Sequence, residues 1–278
     1  MGKHAEKPIP LHISPKRRWH ILSFIASLLK VTTKESQDVV CEHKKVVLHG
    51  LPLSFEGFRI LHLSDLHIKE ISAKEKKLIT ILSGLSADLA VITGDFTYRY
   101  GEYEDTAINY MREVVGSLKH KCNIVAVRGN SDSPVLMDKL EEIGITILQN
   151  ESFELYRDKD SICIGGVDDP HHRMDDIDLA FHCAPDASFK ILLAHSPDVV
   201  LRMKEQKVDL LLSGHTHGGQ VRIPWIGPLM TKTEVGKRFS SGLVNEKGVS
   251  VHISRGFGGI PIRYRCTPEI ALLELARG

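Results

Sequence analysis

The sequence predicts an α/β fold, because short apolar runs alternate with helical patterns from Phe58 onward. Neither internal repeats nor low-complexity tracts interrupt this alternation. The chain has 278 residues, of which 42% are hydrophobic and 26% are charged. These values are typical of a globular protein that buries a sizeable core, and they exclude a disordered chain and a polytopic membrane protein.

The predicted strands and helices follow one another in a regular order. Apolar runs predict strands at residues 59–64, 88–93, 123–127, 145–148, 162–165, 189–194 and 208–212. Helical patterns separate them at residues 72–85, 105–118, 134–143, 175–181 and 198–205. Leu78, Leu82 and Leu85 share one face of the first helix, and Pro134 stands in the first turn of the third. Residues 220–274 are rich in Gly and Pro and predict a sheet edge with several hairpins.

Charge and cysteine content exclude several partner and site classes. The 36 Lys and Arg residues nearly balance 35 Asp and Glu residues, so we expect no nucleic-acid partner. Five cysteines without a C-x-x-C pair indicate neither a disulfide framework nor a thiolate zinc site, and favour a reducing compartment. Histidine is abundant, at 15 residues, and is the commonest neutral metal ligand. The composition therefore points to metal binding.

The N-terminal 30 residues form a predicted segment of their own. Lys16-Arg17-Arg18 precedes an apolar run of about eleven residues, roughly half of what a membrane-spanning helix needs. As a helix, residues 16–30 would be basic and amphipathic, with Trp19 on the apolar side. We expect a peripheral membrane anchor. The alternatives are a helix that packs on the domain or on a partner subunit, and a twin-arginine-like export leader. Residues 31–57 are expected to connect this segment to the main domain, 58–278, and to add an edge strand.

Polar side chains follow five of the predicted strands. They are Asp65, His67, Asp95, Asn130, His195, His215 and His217. The carboxyl ends of strands in an open α/β sheet form the usual binding crevice, so these seven side chains should converge. Gly94, Gly129 and Gly214 allow the chain to turn sharply at three of these strand ends.

Seven oxygen and nitrogen ligands exceed what one tetrahedral zinc ion can use. They suit two adjacent metal ions that share a carboxylate, about 3.5–4 Å apart, which can activate water for displacement at phosphorus. Carboxylate, amide and imidazole ligands favour Mn, Fe, Zn or Co over Mg or Cu(I).

The motifs resemble, in order and spacing, those of the calcineurin-like metallophosphoesterases over residues 58–220. They are Asp65-x-His67, Gly94-Asp95, Gly129-Asn130, His195 and Gly214-His215-x-His217. The resemblance implies a four-layer αββα sandwich with two mixed β-sheets and a metal-bridging hydroxide as the nucleophile. It implies two divalent cations, with Mn as the first expectation and Fe or Zn as alternatives. One would bind Asp65, His67, Asp95 and His217, and the other Asp95, Asn130, His195 and His215. Asp65, Asp95, Asn130 and His195 are the implied catalytic residues.

The C-terminal motifs resemble the YaeI/YkuE-type branch of this family. They are Gly-His-Thr-His-Gly-Gly-Gln-Val-Arg-Ile-Pro and Ser-Arg-Gly-Phe-Gly-Gly-Ile-Pro-Ile-Arg. The resemblance implies a phosphorylated substrate linked to a lipid or nucleotide, and a cytoplasmic enzyme held on the inner membrane. The leading expectation is hydrolysis of the pyrophosphate bond of UDP-2,3-diacylglucosamine to lipid X and UMP, in lipid A biosynthesis. The alternative is a general phosphodiesterase or phosphatase that acts on another phospholipid or envelope phosphoester.

One position departs from the family pattern. The family has His directly after the Asn of the third motif, and this chain has Ser131. A neutral hydroxyl cannot replace an imidazolium acid. We therefore expect a leaving group that departs without full protonation, such as a phosphate.

Arg128, Ser131, His171 and Arg173 are the candidates for substrate binding. Packing within the sheet is the alternative for Arg128, and a solvated loop is the alternative for the two residues at 171 and 173. Asp132 either orients the Asn130 loop or caps the following helix, a role that Ser133 could also fill. The tail arginines are expected at an exposed basic rim: Arg222, Arg255, Arg263 and Arg265.

Overall fold

Two six-stranded mixed β-sheets pack face to face in the computed structural model. The structure describes residues 33–118, 122–184, 188–203, 208–229, 231 and 233–278, so the predicted N-terminal segment lies outside the described residues. The strands are β1 Val40–Leu48, β2 Arg59–Leu63, β3 Leu89–Thr93, β4 Asn123–Val127, β5 Thr146–Ile147, β6 Glu151–Arg157, β7 Asp160–Gly166, β8 Phe189–Leu193, β9 Leu210–Ser213, β10 Arg222–Ile223, β11 Gly227–Pro228, β12 Gly242–Glu246, β13 Val249–Ile253 and β14 Glu269–Arg277.

The first sheet has the order β1-β14-β2-β3-β4-β5. Strands β2, β3, β4 and β5 run parallel, as expected for strands joined by helices. Strand β14 pairs antiparallel with β2 and parallel with β1, which lies at the sheet edge. The carboxyl ends of β2, β3 and β4 therefore share one end of this sheet.

The second sheet has the order β12-β13-β9-β8-β7-β6. Its centre is parallel, since β13, β9, β8 and β7 run the same way. The edge strands are β12 and β6. Strand β12 pairs antiparallel with β13, and β6 pairs antiparallel with β7. Strands β10 and β11 form a separate two-stranded hairpin.

The helices that pack on the sheets after β1, in the part of the chain that the structure describes, are α1 Ala73–Gly84, α2 Glu104–Leu118, α3 Pro134–Glu142 and α4 Ile177–Ala180. Helix α1 begins with a capping box, in which Ser72 accepts from a backbone N–H and Glu75 accepts from the Ser72 N–H. Helix α3 begins at Ser133, whose hydroxyl accepts from the Leu136 N–H, with Pro134 in the first turn.

Three apolar clusters separate four layers. Leu61 and Leu63 of β2 belong to the cluster that covers α1, α2 and α3. Ile60 of the same strand faces the other way, into the cluster between the sheets, because successive strand residues alternate in direction. The outer face of the second sheet packs against α4 and the 3-10 turn Pro197–Leu201. This arrangement confirms the predicted α/β class and its two mixed sheets.

Two buried histidines interrupt the apolar layer between the sheets. His62 Nδ1 lies 3.0 Å from His252 Nδ1, and His62 Nε2 lies 2.9 Å from Thr93 Oγ1. Burial lowers the pKa of both histidines, that of His62 to about 3. Both imidazoles are therefore neutral at pH 7 and form part of the core.

Some sequence predictions of elements were wrong. The predicted helix at 198–205 is a 3-10 turn, Pro197–Leu201, within the described residues. Strand β6 was not predicted. The tail does contribute the β12–β13 hairpin, but β14 lies inside the first sheet rather than at an edge. The pairing of β14 joins residues more than 200 positions apart, as in Val40 with Glu269, and no local pattern indicates such a neighbour.

Candidate metal centre

The seven predicted ligand residues come from the carboxyl ends of five strands in two sheets. Asp65 and His67 follow β2, Asp95 follows β3, and Asn130 follows β4 in the first sheet. In the second sheet His195 follows β8, and His215 and His217 follow β9. Because the sheets pack face to face with these ends together, the structure brings all seven side chains into one group.

One half of the group is built around two imidazoles. His67 Nε2 lies 3.2 Å from His217 Nε2 and 3.2 Å from Asp95 Oδ2. His217 Nε2 lies 3.5 Å from Asp65 Oδ1. Donor atoms of Asp65, His67 and His217 all lie within 4.8 Å of one another, a spacing that allows a single cation to contact all three.

The other half is centred on His195. Its Nε2 atom lies 3.1 Å from Asn130 Oδ1, 3.0 Å from His215 Nδ1 and 3.5 Å from Asp95 Oδ2. Donor atoms of Asp65, Asp95 and His195 lie within 4.8 Å of one another. Asp95 Oδ2 therefore faces an imidazole from each half, the position expected of a shared carboxylate.

Backbone carbonyls orient two of the imidazoles. His195 Nδ1 donates to the Thr93 carbonyl at 2.7 Å, and His67 Nδ1 donates to the Thr97 carbonyl at 3.0 Å. In the neutral form of each imidazole, Nε2 carries a lone pair directed at the centre. Carboxylate, amide and neutral imidazole donors fit divalent transition metals, so the residues present fit the implied metal pair.

The local charges set the protonation of the group. Burial alone would raise the pKa of Asp95, but His195 and His67 hold it well below its usual range. Burial and the neighbouring His67 lower the pKa of His217. Burial would likewise lower the pKa of His195, yet the Asp95 carboxylate outweighs it and raises that pKa to about 10. A cation that binds His195 must therefore displace a proton.

Asp132 supports the loops that carry two of these residues. Its carboxylate accepts from the backbone N–H of Gly129 at 2.9 Å, Asp95 at 2.7 Å and Phe96 at 2.7 Å. Ser133 caps α3 instead. Of the two roles open from the sequence, Asp132 has the one that orients the loops around the centre.

Glycine allows two strand ends to approach each other. Gly94 has a φ of +81°, and a Cβ there would lie 2.5 Å from the Gly129 nitrogen and 2.9 Å from His195 Nδ1. The turn after β3 therefore requires glycine both for its conformation and for the close packing of the β4 loop.

The glycine-rich tail contributes supports that the sequence did not reveal. A Cβ on Gly258 would lie 2.7 Å from the Leu66 carbonyl carbon and 2.8 Å from His67 Cβ. Arg263 donates to the His217 carbonyl at 3.1 Å and to the Gly258 carbonyl at 2.7 Å. The tail thus packs directly against the chain that bears His67 and His217.

The expectation of an exposed basic rim in the tail was wrong for three arginines. Arg263 is fully buried. Arg255 pairs with Glu269 at 2.6 Å and Glu42 at 2.7 Å, and Arg222 donates to the Gly218 carbonyl at 3.0 Å. Backbone carbonyls and two glutamates are among the groups that hold these arginines, and some of these partners, such as Glu42 for Arg255 and His217 for Arg263, are distant in sequence. Arg265 is exposed.

The four substrate candidates lie in different surroundings. Arg128 is buried and makes a bidentate pair with Asp168, at 2.7 and 3.0 Å. Ser131 donates its backbone N–H to Asp95 Oδ1 at 2.8 Å and lines the central cavity. The His171 ring centre lies 5.5 Å from that of the metal-site residue His215.

Arg173 is exposed and pairs with Glu234 at 3.2 Å. A cavity of about 450 Å³ opens over the centre, and His67, Asp95, Asn130, Ser131, His215 and His217 line it. A phosphorylated group of moderate size fits such a volume.

Known proteins share this sequence pattern. Residues 58–219 match the family model described as calcineurin-like phosphoesterase. The chain is 30% identical over 237 residues to the uncharacterized metallophosphoesterase YkuE of Bacillus subtilis, which covers 81% of each chain. It is 29% identical to phosphodiesterase YaeI of Escherichia coli, over 78% of this chain and 82% of that protein. A transmembrane protein with metallophosphoesterase domain from Danio rerio is 29% identical, over 83% of this chain and 56% of that protein.

Proposed function

The chain belongs to the calcineurin-like phosphoesterase family and is a metal-dependent phosphohydrolase, and from this premise we propose that it hydrolyses a phosphoanhydride in a lipid-linked substrate. The leading substrate is UDP-2,3-diacylglucosamine, cleaved at its pyrophosphate bond to lipid X and UMP. The single observation that supports an anhydride is Ser131 at the wall of the metal-site cavity.

The residues of the centre form two sets of candidate metal ligands that share Asp95. Asp65, His67, Asp95 and His217 would hold one, and Asp95, Asn130, His195 and His215 would hold the other. When bound, such a pair activates water for attack on phosphorus and neutralises charge on the phosphoryl oxygens. Mn is the first candidate, with Fe or Zn as alternatives, given oxygen and nitrogen donors.

The remaining groups of the chain position this machinery. The Thr93 and Thr97 carbonyls hold His195 and His67 in one tautomer and orientation. The Ser131 N–H and the two halves of the group hold the Asp95 carboxylate from opposite sides. These contacts keep the donor atoms in place before the substrate arrives, so little reorganisation is needed during the reaction.

Ser131 limits the leaving groups that the site can serve. Its backbone is fixed, because the Thr97 hydroxyl donates to the Ser131 carbonyl at 2.7 Å. A serine hydroxyl does not protonate an alkoxide as an imidazolium does. A phosphate leaving group departs as an anion, so an anhydride such as a nucleotide–sugar pyrophosphate is the substrate class that this wall favours.

A lipid-linked substrate is supported by the apolar side of the cavity. Leu229 and Ile260 line it together with the metal-site histidines, and both are about half exposed. We propose attachment to the cytoplasmic side of a membrane through residues 16–30, which lie outside the described residues. Within the part of the chain that the structure describes, no helix combines the length and the apolar character needed to cross a membrane.

Hydrolysis of UDP-2,3-diacylglucosamine in mixed micelles with Mn tests the proposal directly. We expect release of UMP by the intact chain and its loss in Asp95→Asn. Asp138→Asn, an exposed acid on α3, is the matched control and should keep the activity.

Activity on bis(p-nitrophenyl) phosphate without release of UMP would contradict the proposed substrate and leave the metallophosphoesterase. It would favour the alternative, a YaeI-type phosphodiesterase acting on another phospholipid or envelope phosphoester, as the name phosphodiesterase YaeI describes its relative. An export leader is the minor alternative for residues 16–30, and removal of that segment from protein recovered outside the cytoplasm would support it.

A further inference from the structure

Two neighbouring loops expose apolar side chains, and two of these side chains, Leu229 and Ile260, line the metal-site cavity. One is the β10–β11 hairpin, in which Trp225 is fully exposed and Ile226 is 59% exposed. The other is residues 260–262, which exposes Ile260 and Ile262. We call this surface the apolar rim, and it consists of Trp225, Ile226, Leu229, Ile260 and Ile262.

The two loops form one surface. Val221 pairs with Tyr264 in a parallel bridge, and the Arg222 N–H donates to the Tyr264 carbonyl at 2.9 Å. Gln220 Nε2 donates to the Ile260 carbonyl at 3.4 Å. Because Leu229 and Ile260 also line the metal-site cavity, the apolar rim is continuous with the site.

The hairpin is held firmly at its base. The Leu229 N–H donates to the Val221 carbonyl at 3.0 Å, and the Ile226 N–H donates to the Ile223 carbonyl at 3.2 Å. Arg222 donates to the hydroxyls of Ser240 and Ser241, each at 3.2 Å. The base of the hairpin is fixed, and its tip exposes a tryptophan and an isoleucine. Because exposing these apolar side chains does not stabilise the fold of the described chain, they indicate an interaction surface.

Cations flank the apolar rim. Lys69 and Arg99 are exposed and lie 5.7 and 5.8 Å from the Tyr98 ring centre. Arg99 lines the same cavity as Ile260, and the exposed Arg265 follows Tyr264. Glu70, beside Lys69, is an exposed acid on this side. Exposed tryptophan and isoleucine next to lysine and arginine match a membrane interface with anionic headgroups.

The first described residues of the chain lie on the same side of the fold as the apolar rim. Glu35 accepts from the backbone N–H of Arg265 at 2.8 Å and of Cys266 at 2.6 Å. Ser36 lines a cavity together with Lys69 and Ile260. Residue 30 precedes Glu35 by five positions, which is at most roughly 18 Å of extended chain. The basic amphipathic sequence at 16–30 is therefore joined to the fold beside the apolar rim.

We propose that the apolar rim inserts into the interfacial layer of an anionic lipid bilayer, so that the metal-site cavity opens onto the lipid surface. The inference rests on the proposed function in one respect: a lipid-linked substrate would then reach the site without leaving the membrane.

A single-tryptophan chain tests insertion at the rim itself. The protein has two tryptophans, so Trp19→Phe leaves Trp225 as the only reporter. With vesicles of phosphatidylglycerol and phosphatidylethanolamine, we expect its emission to move to shorter wavelength and to be quenched by lipids brominated in the acyl chains. An unchanged emission from protein that sediments with the vesicles would overturn the proposal, because residues 16–30 alone would then bind.

A second variant separates docking from catalysis. Trp225→Ser/Ile226→Ser should weaken vesicle binding by roughly tenfold or more, while hydrolysis of soluble bis(p-nitrophenyl) phosphate stays unchanged. Val47→Ser/Leu53→Ser removes exposed apolar side chains at the opposite end of the first sheet and should bind vesicles normally. Equal binding by both double variants would overturn the proposal.

The remaining outcomes distinguish the two proposals. Insertion of Trp225 without turnover of UDP-2,3-diacylglucosamine would contradict the proposed substrate and support docking. Trp225 emission at short wavelength in vesicle-free buffer would place residues 16–30 or a second copy on the rim and overturn docking.

Discussion

Asp132 holds Asp95 from behind, because Asp132 Oδ2 accepts a 2.7 Å hydrogen bond from the backbone N–H of Asp95. Both carboxylates are buried. The side chain of Asp95 faces both halves of the metal centre, while its backbone is fixed by a residue that contacts neither imidazole. Loss of Asp132 should therefore change the metal centre although Asp132 is not among the predicted ligands.

We expect Asp132→Asn to lower metal affinity and turnover by roughly 10- to 100-fold. An amide nitrogen would face backbone N–H groups that now donate to a carboxylate oxygen. Metal titration and kinetics on bis(p-nitrophenyl) phosphate measure the effect. Ser133→Ala, which removes the cap of α3 and the hydrogen bond that Ser133 donates to Glu104, should lose stability by about 1 kcal/mol and keep its metal affinity. A similar loss of metal in both variants would point to general unfolding instead.

Gly258→Ala should disturb the metal centre from the tail. Its Cβ would press on the Leu66 carbonyl carbon and on His67 Cβ, and displacement of a ligand by about 1 Å can lower turnover roughly 100-fold. Metal content per chain and turnover measure this. Gly116→Ala in α2 is the control, because its Cβ meets nothing within 4 Å. It should instead stabilise the helix by about 0.5–1 kcal/mol. Normal metal content in Gly258→Ala would contradict this prediction, because the loop would then have moved enough to accommodate the Cβ.

Ser131→His should broaden the range of leaving groups. An imidazole at this position could donate a proton to an alkoxide, a contribution worth about 100-fold or more. We expect turnover of a dialkyl phosphodiester to rise by roughly tenfold or more relative to that of bis(p-nitrophenyl) phosphate. The ratio of the two rates is the measurement, since it cancels changes in metal content. An unchanged ratio would contradict the role given to Ser131.

Lys74 should make stability depend on pH above neutrality. Burial lowers its pKa to about 8, and Arg263 acts in the same direction while Glu75 opposes it. Between that pH and the ordinary lysine pKa of 10.5, the unfolded chain keeps a proton that the folded chain has lost. The free energy of unfolding therefore rises with pH there, by up to about 1.4 kcal/mol per unit.

Denaturant unfolding at several pH values checks this. Relative to Lys74→Met, the parent chain should gain stability as the pH rises through that window. Lys76→Met, an exposed position on the same helix, is the control and should follow the parent. If the difference in free energy of unfolding between the parent and Lys74→Met stays constant with pH, the pKa of Lys74 is not lowered.

The strand ends were predictable because local signals coincide there. A short apolar run, a glycine and a polar side chain follow one another at Gly94 and Asp95, and likewise at Gly214 and His215. The carboxyl ends of parallel strands meet, so the meeting of these residues follows from the pattern alone. Sequence left the role of Asp132 open, because a helix cap and a loop support require the same residue type at the same place.

Other features depend on distant neighbours that no local pattern specifies. Arg263, in a Gly-rich tail, is typical of a surface cation, yet its guanidinium is buried and donates to the carbonyl of His217, 46 positions away in the sequence. The Gly- and Pro-rich composition of residues 220–274 predicts hairpins at a sheet edge but not the strand at 269–277 between β1 and β2. The sequence does not decide whether Trp225 is buried in the core or exposed at the apolar rim, because an apolar residue in a hairpin occurs in both environments.

The position of β14 has a consequence for how the protein is made. Residues 269–277 separate β1 from β2 in the first sheet, and ribosomes synthesise them after every predicted metal ligand. A nascent chain that has already exposed Asp65 and His217 must therefore wait, with a gap in its central sheet, until these residues emerge. We expect ribosome-stalled chains ending near residue 260 to remain sensitive to protease and to bind metal weakly, and release of the full chain to restore both properties together.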